Sequence, residues 1–330
     1  VPEILAEVLR NNRIESRHRA IVVVTDPDGE KTFSAGEISS PTYIRSAAKP
    51  LQIMPLLESG ADKEYRFSNA ELAVIMASHN GEDFHLSAVE SILNKADLAV
   101  DDLQCGFHRP LHAASAARFL KSGKMKSPLY NNCSGKHAGM LATCKYRGWP
   151  LDSYLEPQHL LQLEILNKVA IFAGLEADKI ERGTDGCNAP VFYLPIDKIA
   201  LIFARLAQGE IGESKRVFDL MSGNPEMIGG EGRFDTDFTR AMHGRAISKV
   251  GAEGLRCIGL RKGSGLGLTV KIEDGNIRAA SVVALTVMQH LGLIDNAGLK
   301  RLKEYHKPVI RNCIGREVGK IVCDLQQSAL

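Results

Sequence analysis

Residues 45–50 read Arg45-Ser46-Ala47-Ala48-Lys49-Pro50, and a serine placed three positions before a lysine can carry nucleophilic chemistry. When such a segment coils through one turn, positions i and i+3 become neighbours, so the hydroxyl can meet the amine. A hydroxyl is a weak nucleophile until a base takes its proton, and a lysine is such a base when desolvation or a nearby cation lowers its pKa. Short Ser-x-x-Lys matches also arise by chance, and Pro50 disfavours the α conformation in the residue before it. The turn remains feasible, because Ser46 to Lys49 can form a first turn while the proline leads the chain into its helix. The spacing thus predicts Ser46 Oγ and Lys49 Nζ within hydrogen-bond reach.

Two further elements follow in order: Ser78-His79-Asn80 at the end of an expected helix, and Lys249-Val250-Gly251 at the start of an expected strand. Ser-x-x-Lys, Ser-x-Asn and Lys-x-Gly in this order is the succession of active-site elements in penicillin-binding proteins and serine β-lactamases. A second serine could relay a proton to a departing amine, which amide cleavage requires.

A second constellation joins Asn131-Asn132-Cys133-Ser134-Gly135-Lys136-His137 with Thr184-Asp185-Gly186-Cys187-Asn188. Both stretches gather thiols, amides and charges in expected loops, where binding residues concentrate. Cys133, Cys187, Asp185 and His137 have donor types that suit zinc. No Cys-x-x-Cys unit is present, so the residues alone favour two unrelated buried thiols over a metal site.

The elements that must position these residues are legible in outline. Ala20–Thr25 is a β-branched run, and Asp26-Pro27-Asp28-Gly29 is a turn that returns the chain through Lys31–Ala35. After the Ser-x-x-Lys segment the apolar spacing becomes helical, and Ser68 with Glu71 forms a capping box that starts one helix. Helical patterns dominate from 85 to 220. The stretch Gly223–Gly232 lacks the lysine-serine ending of a P-loop and reads as a plain loop. Strands return after Lys249 as "LRCIGL", "GLGLTVKI" and "IRAASVVA", the last two joined by the hairpin signal Glu273-Asp274-Gly275-Asn276, and helices follow. Strands at both ends with helices between, about 46–245, predict one α+β domain over residues 1–330 with a mainly antiparallel sheet. Two α/β domains split near residue 150 fit less well, because clean βαβ alternation is missing.

The 330 residues carry 41 Lys and Arg against 39 Asp and Glu, a net charge of +2 that implies no nucleic-acid or membrane partner. No apolar run reaches the ~18 residues of a spanning helix, and the N-terminal residues do not resemble an export signal. Seven scattered cysteines favour a reducing compartment, hence a cytoplasmic location, over a disulfide framework.

Taken together, "ESRHRA", "RSAAKPLQ", "ASHNGE", "NNCSGKHAGML", "TDGCNAP", "GRFDT" and "KVGAEG" resemble the asparaginase II family of the thermolabile rhizobial type. The matches run from residue 15 to about 280. The resemblance implies hydrolysis of L-asparagine to L-aspartate and ammonia, on a fold similar to serine β-lactamases and glutaminases, by a homodimer. It implies two Ser–Lys pairs: Ser46 with Lys49, and Ser78 with a late lysine, assigned to Lys249 ahead of Lys262 or Lys271. It also implies zinc held by Cys133, Lys136 and Cys187, despite the spacing. Asn132, His137 and Asp185 would then face substrate or water, and the planar fork of Arg45 would take the α-carboxylate. The competing expectations are a penicillin-interactive peptidase and a non-catalytic sensor of amides or amino acids.

Overall fold

Six consecutive residues from Ala20 to Thr25 are buried, so this part of the strand Arg13–Thr25 is covered on both faces and its β-branched run needs no polar alternation. The computed structural model describes residues 4–123 and 125–325 of the chain. These residues form two compact units, and the chain enters each more than once. One unit holds the described residues through Ile44, then Leu194–Gln208, then those from Asp237 onward; the other holds Arg45–Tyr193 and Gly209–Thr236.

The first unit is built on an antiparallel sheet. Across it the strands run Val309–Arg311, Glu317–Cys323, Ile4–Arg10, Arg13–Thr25, Leu266–Ile272, Leu255–Leu260 and Ala246–Val250, with Lys31–Ala35 also paired to Arg13–Thr25. N-terminal and C-terminal strands therefore combine in one sheet, as expected. The Asp26 turn forms, with its Oδ1 accepting from the amides of Asp28 and Glu30 and with Gly29 at φ +94°. Ile21 and Val23 pack on Ile196 and Ala200 of the helix Ile196–Gln208. Gly267 permits that approach, since a Cβ there would overlap the Ala200 carbonyl.

One strand expectation fails. "IRAASVVA" is the start of the helix Ile277–His290, not the second arm of a hairpin. Asn276 is its N-cap, its side chain accepting from the Arg278 amide, so the polar tetrapeptide that resembles a hairpin turn instead starts a helix. Residues 279–285 are all buried, and that tertiary environment overrides the β-preference of the valines.

The second unit is mainly helical. It includes Lys49–Gln52, Met54–Ser59, Asn69–Ile75, Asp83–Lys95, Ser134–Arg147 and Leu160–Ala173, with a short antiparallel pairing of 181–184 against 190–193. Helix Ser134–Arg147 lies against Asn69–Ile75 at a glycine: a Cβ on Gly135 would overlap the Val74 carbonyl. The Ser68–Glu71 capping box is present, and Glu71 also takes an ion pair from Lys95 at 2.7 Å. Among the described residues no helix is long and apolar enough to cross a membrane.

Burial pushes the Glu71 carboxyl up, but hydrogen bonds from Lys95, Ser91 and Ser68 outweigh it and hold it below the usual range. A carboxyl depressed in the folded state adds stability above its unfolded pKa and loses it as pH falls through the folded value. Glu71→Gln should therefore cost about 1 kcal/mol at neutral pH and much less near pH 3, read from urea midpoints at the two pH values. An equal cost at both would show that the charge on Glu71 contributes nothing.

Candidate active site

The turn predicted around Pro50 is present. Arg45–Ala48 form a 3-10 turn that runs directly into the helix Lys49–Gln52, with the proline in the first helical turn, where its missing N–H leaves no bond unmade. Lys49 is 1% exposed. Its amine donates to the Ala77 carbonyl, to Ser78 Oγ at 3.1 Å and to the Asn132 carbonyl at 3.5 Å. Ser46 Oγ is not among these partners, so the direct Ser46–Lys49 hydrogen bond expected from the spacing is not formed. The reason is electrostatic. Ala77 lies just beyond the C-terminal end of the helix Asn69–Ile75, where uncapped carbonyls attract a cation, and the long lysine side chain reaches that end.

Ser78 is held by backbone from a segment that reads as an ordinary loop in sequence. Ser78 N donates to Ile228 O, and Asn80 N donates to Gly229 O, both at 3.0 Å. Asn80 is fixed further by its side chain, which donates to Glu231 O and accepts from Arg233 at 3.0 Å. Residues 228–233 thus strap the Ser-x-Asn element, a role that no composition signal reveals. Between the two, His79 is fully buried, accepts from the Gly81 amide at Nδ1, and meets Ser134 Oγ at 2.9 Å through Nε2. Burial, then His85 and Lys49, push its pKa well below the usual value, so it stays neutral.

The second constellation also comes together. Lys136 Nζ lies 3.0 Å from Cys187 Sγ, and Cys133 interacts with both. All three are buried. Burial alone would lower the Lys136 ammonium, but Cys187 and Cys133 raise it overall. Cys133 is driven well below the usual thiol value by the hydrogen bond from Cys187, and Lys49 and Lys136 help overcome its burial. Asn131 shapes this loop, its side chain accepting from the Cys133 amide and donating to Cys105 O. Asn132 is part-buried, and its carbonyl also accepts from the His79 amide. Among the described residues no cysteine is joined in a disulfide.

Asp185 joins the two constellations. Its Oδ1 accepts from Arg45 Nε at 2.8 Å and lies 2.7 Å from Arg45 Nη2. Burial raises the Asp185 carboxyl, yet Lys136 and Arg45 more than offset this and hold it below the usual range. Arg45 has φ +50°, a left-handed conformation that non-glycine residues rarely adopt and that persists where surrounding contacts impose it. His137 is fully buried beside Lys136 and meets Tyr154 Oη at 2.7 Å through Nδ1.

Lys249 belongs to the other unit, where it is fully buried in the strand Ala246–Val250 and donates to Val250 O. Lys262 is exposed, and Lys271 is half-buried and bonded to Glu253 O and Ile272 O. Of the three late lysines, Lys249 alone is buried.

This chain belongs to the L-asparaginase II family, whose model matches residues 6–323. No curated protein matches it significantly. Among solved structures it is similar to one described as Mglu in its glutamate form, at 14% identity and TM-score 0.38, covering 84% of this chain and 61% of that one. It is also similar to a β-lactamase, Mb2281c, from Mycobacterium bovis, at 11% identity and TM-score 0.43, covering 87% and 95%. A third is a mutant of the simvastatin synthase LovD from Aspergillus terreus, at 12% identity and TM-score 0.37, covering 87% and 88%. At such scores the likeness carries no inference about chemistry.

The Arg45–Asp185 pair should be structural as well as functional. Asp185→Asn leaves the Arg45 and Lys136 charges without their carboxylate and should lower unfolding stability by about 1–3 kcal/mol. Arg45→Gly, which relieves the positive φ, should cost less. Equal stability of Asp185→Asn and the parent protein in denaturant melts would contradict this.

Proposed function

We propose that the protein hydrolyses the side-chain amide of L-asparagine through a serine acyl-enzyme. The observation that carries this reading is the buried Lys49 amine 3.1 Å from Ser78 Oγ, one helical turn after Ser46. Ser46 Oγ attacks the amide carbon, and its proton passes to the Lys49 amine acting as general base. Lys49 returns a proton through Ser78 Oγ to the amide nitrogen, the C–N bond breaks, and ammonia leaves. Water then hydrolyses the ester, giving aspartate and restoring the serine proton. Lys249, buried in its strand, is the lysine proposed to complete the proton handling. Arg45 and Asp185 together match an amino-acid zwitterion, the guanidinium facing an α-carboxylate and the carboxylate an α-ammonium. Asn132 and His137 are proposed to complete the substrate contacts.

Cys133, Lys136 and Cys187 suit a thiophilic cation such as zinc, since two thiols and an amine converge in a buried site. Among the described residues neither His137 nor Asp185 forms a compact three-ligand group with the thiols. Three protein ligands leave a position open, and bound zinc would supply Lewis acidity there. Lys136 would have to release its proton, so affinity should fall at low pH. The homodimer and the cytoplasmic location stay proposals of the same reading.

Ammonia release should be seen from asparagine, compared side by side with glutamine, and Ser46→Ala should lower it by about 1,000-fold or more. An electrophilic asparagine analogue should label Ser46. The direct Lys49–Ser78 contact favours a second reading with Ser78 as nucleophile, and an adduct mapped to Ser78 would replace the first. Near-normal turnover by Ser46→Ala would also overturn it. Tight asparagine binding without turnover would mark a sensor, and labelling by a fluorescent penicillin would point to a peptidase.

Elemental analysis should find about one zinc per chain, lost in Cys133→Ser. Unchanged metal content in that variant would remove Cys133 from the ligand set.

A further inference from the structure

The hydrogen-bond pattern around His137 fixes which ring nitrogen carries its proton. Tyr154 is fully buried in the turn before the helix Leu160–Ala173, and its ring meets that of His137 edge-on at 5.7 Å and 86°. Among the described residues Tyr154 Oη has two partners, the backbone amide of Gln104 at 3.1 Å and His137 Nδ1 at 2.7 Å. An amide N–H can only donate, so Tyr154 Oη accepts from Gln104. The phenolic proton then has one acceptor within reach, His137 Nδ1, because a buried hydroxyl proton left unpaired is costly. His137 must therefore carry its own proton on Nε2.

That Nε2 is buried and has no hydrogen-bond partner among the described residues. His137 sits next to Lys136 on the first turn of the helix Ser134–Arg147, and its Nδ1, accepting from Tyr154, carries no proton. An imidazole that accepts at Nδ1 offers a single N–H, at Nε2, to any further partner.

We infer that Tyr154 is a positioning residue, which with the Gln104 amide locks His137 as an Nε2–H donor aimed at an oxygen of the bound substrate. The inference rests on the amidohydrolase reading above and adds a constraint to it. The group that His137 meets is an acceptor, a carboxylate or amide carbonyl oxygen, and His137 does not serve as a general base. Tyr154 stands in "LDSYLEP", which carries no motif, and only the folded geometry reveals its role.

The test uses the full chain labelled with 15N-histidine. Long-range 15N–1H correlations should show His137 as the Nε2–H tautomer, its signals assigned by their loss in His137→Gln. Tyr154→Phe removes the proton donor to Nδ1, so its spectrum should show the Nδ1–H form gaining population. The same variant should raise KM for asparagine about 5- to 10-fold with kcat changed less than about 3-fold, as expected for a lost ground-state hydrogen bond. His137→Gln, which keeps an amide N–H near Nε2, should retain more activity than His137→Leu. A purely structural tyrosine would lower thermal stability without shifting either the tautomer or KM. The inference fails if wild-type His137 is protonated on Nδ1, or if Tyr154→Phe leaves both tautomer and KM unchanged. The wild-type spectrum decides it even where Tyr154→Phe does not fold. Absence of ammonia release by the wild-type protein would count against the proposed function, while the ring-nitrogen readout still decides the tautomer.

Discussion

A lysine amine buried at the end of a helix organises this site. Lys49 is almost completely removed from water, and an amine so placed is tolerated only when oxygen acceptors surround its N–H groups. Those acceptors come from the end of the helix Asn69–Ile75 and from the Asn132 loop. The turn that carries Ser46, the segment that carries Ser78 and the loop that leads to Cys133 are therefore tied to one side chain. Truncating that side chain would leave buried carbonyls unpaired at several places.

A second layer of charge surrounds the first. Arg45, Asp185 and Lys136 alternate in sign, and the Cys187 thiol links Lys136 to Cys133, whose pKa is held low. Asp185 and Cys133 depend on their neighbours, because burial alone would push both towards their neutral forms. The strained backbone at Arg45 fits this picture, since the ion pair to Asp185 holds a conformation that an arginine would otherwise avoid. Tyr154 extends the same logic to a neutral group by fixing a proton's position through hydrogen bonding rather than charge.

Much of this was legible in the residues, for identifiable reasons. Pro50 and the Ser-x-x-Lys spacing described a real turn, because a proline fits the first turn of a helix. The Ser68–Glu71 box and the Asp26 turn have local mechanisms and appear as expected. Glu273–Asn276 misled because aspartate, glycine and asparagine serve hairpin turns and helix caps alike, and only burial of the following residues decides between them. The choice of Lys49's partner could not be read, since it depends on where a distant helix ends. Likewise nothing in "GNPEMIGGEG" shows that its backbone straps Ser78 and Asn80.

The central claim is that a serine ester forms and is then hydrolysed. Hydroxylamine added during asparagine turnover tests it most directly, because an ester partitions between water and the stronger nucleophile. The account predicts that aspartyl hydroxamate accumulates in proportion to hydroxylamine and at the expense of aspartate. Steady ammonia release with no hydroxamate would show direct attack by water and contradict it.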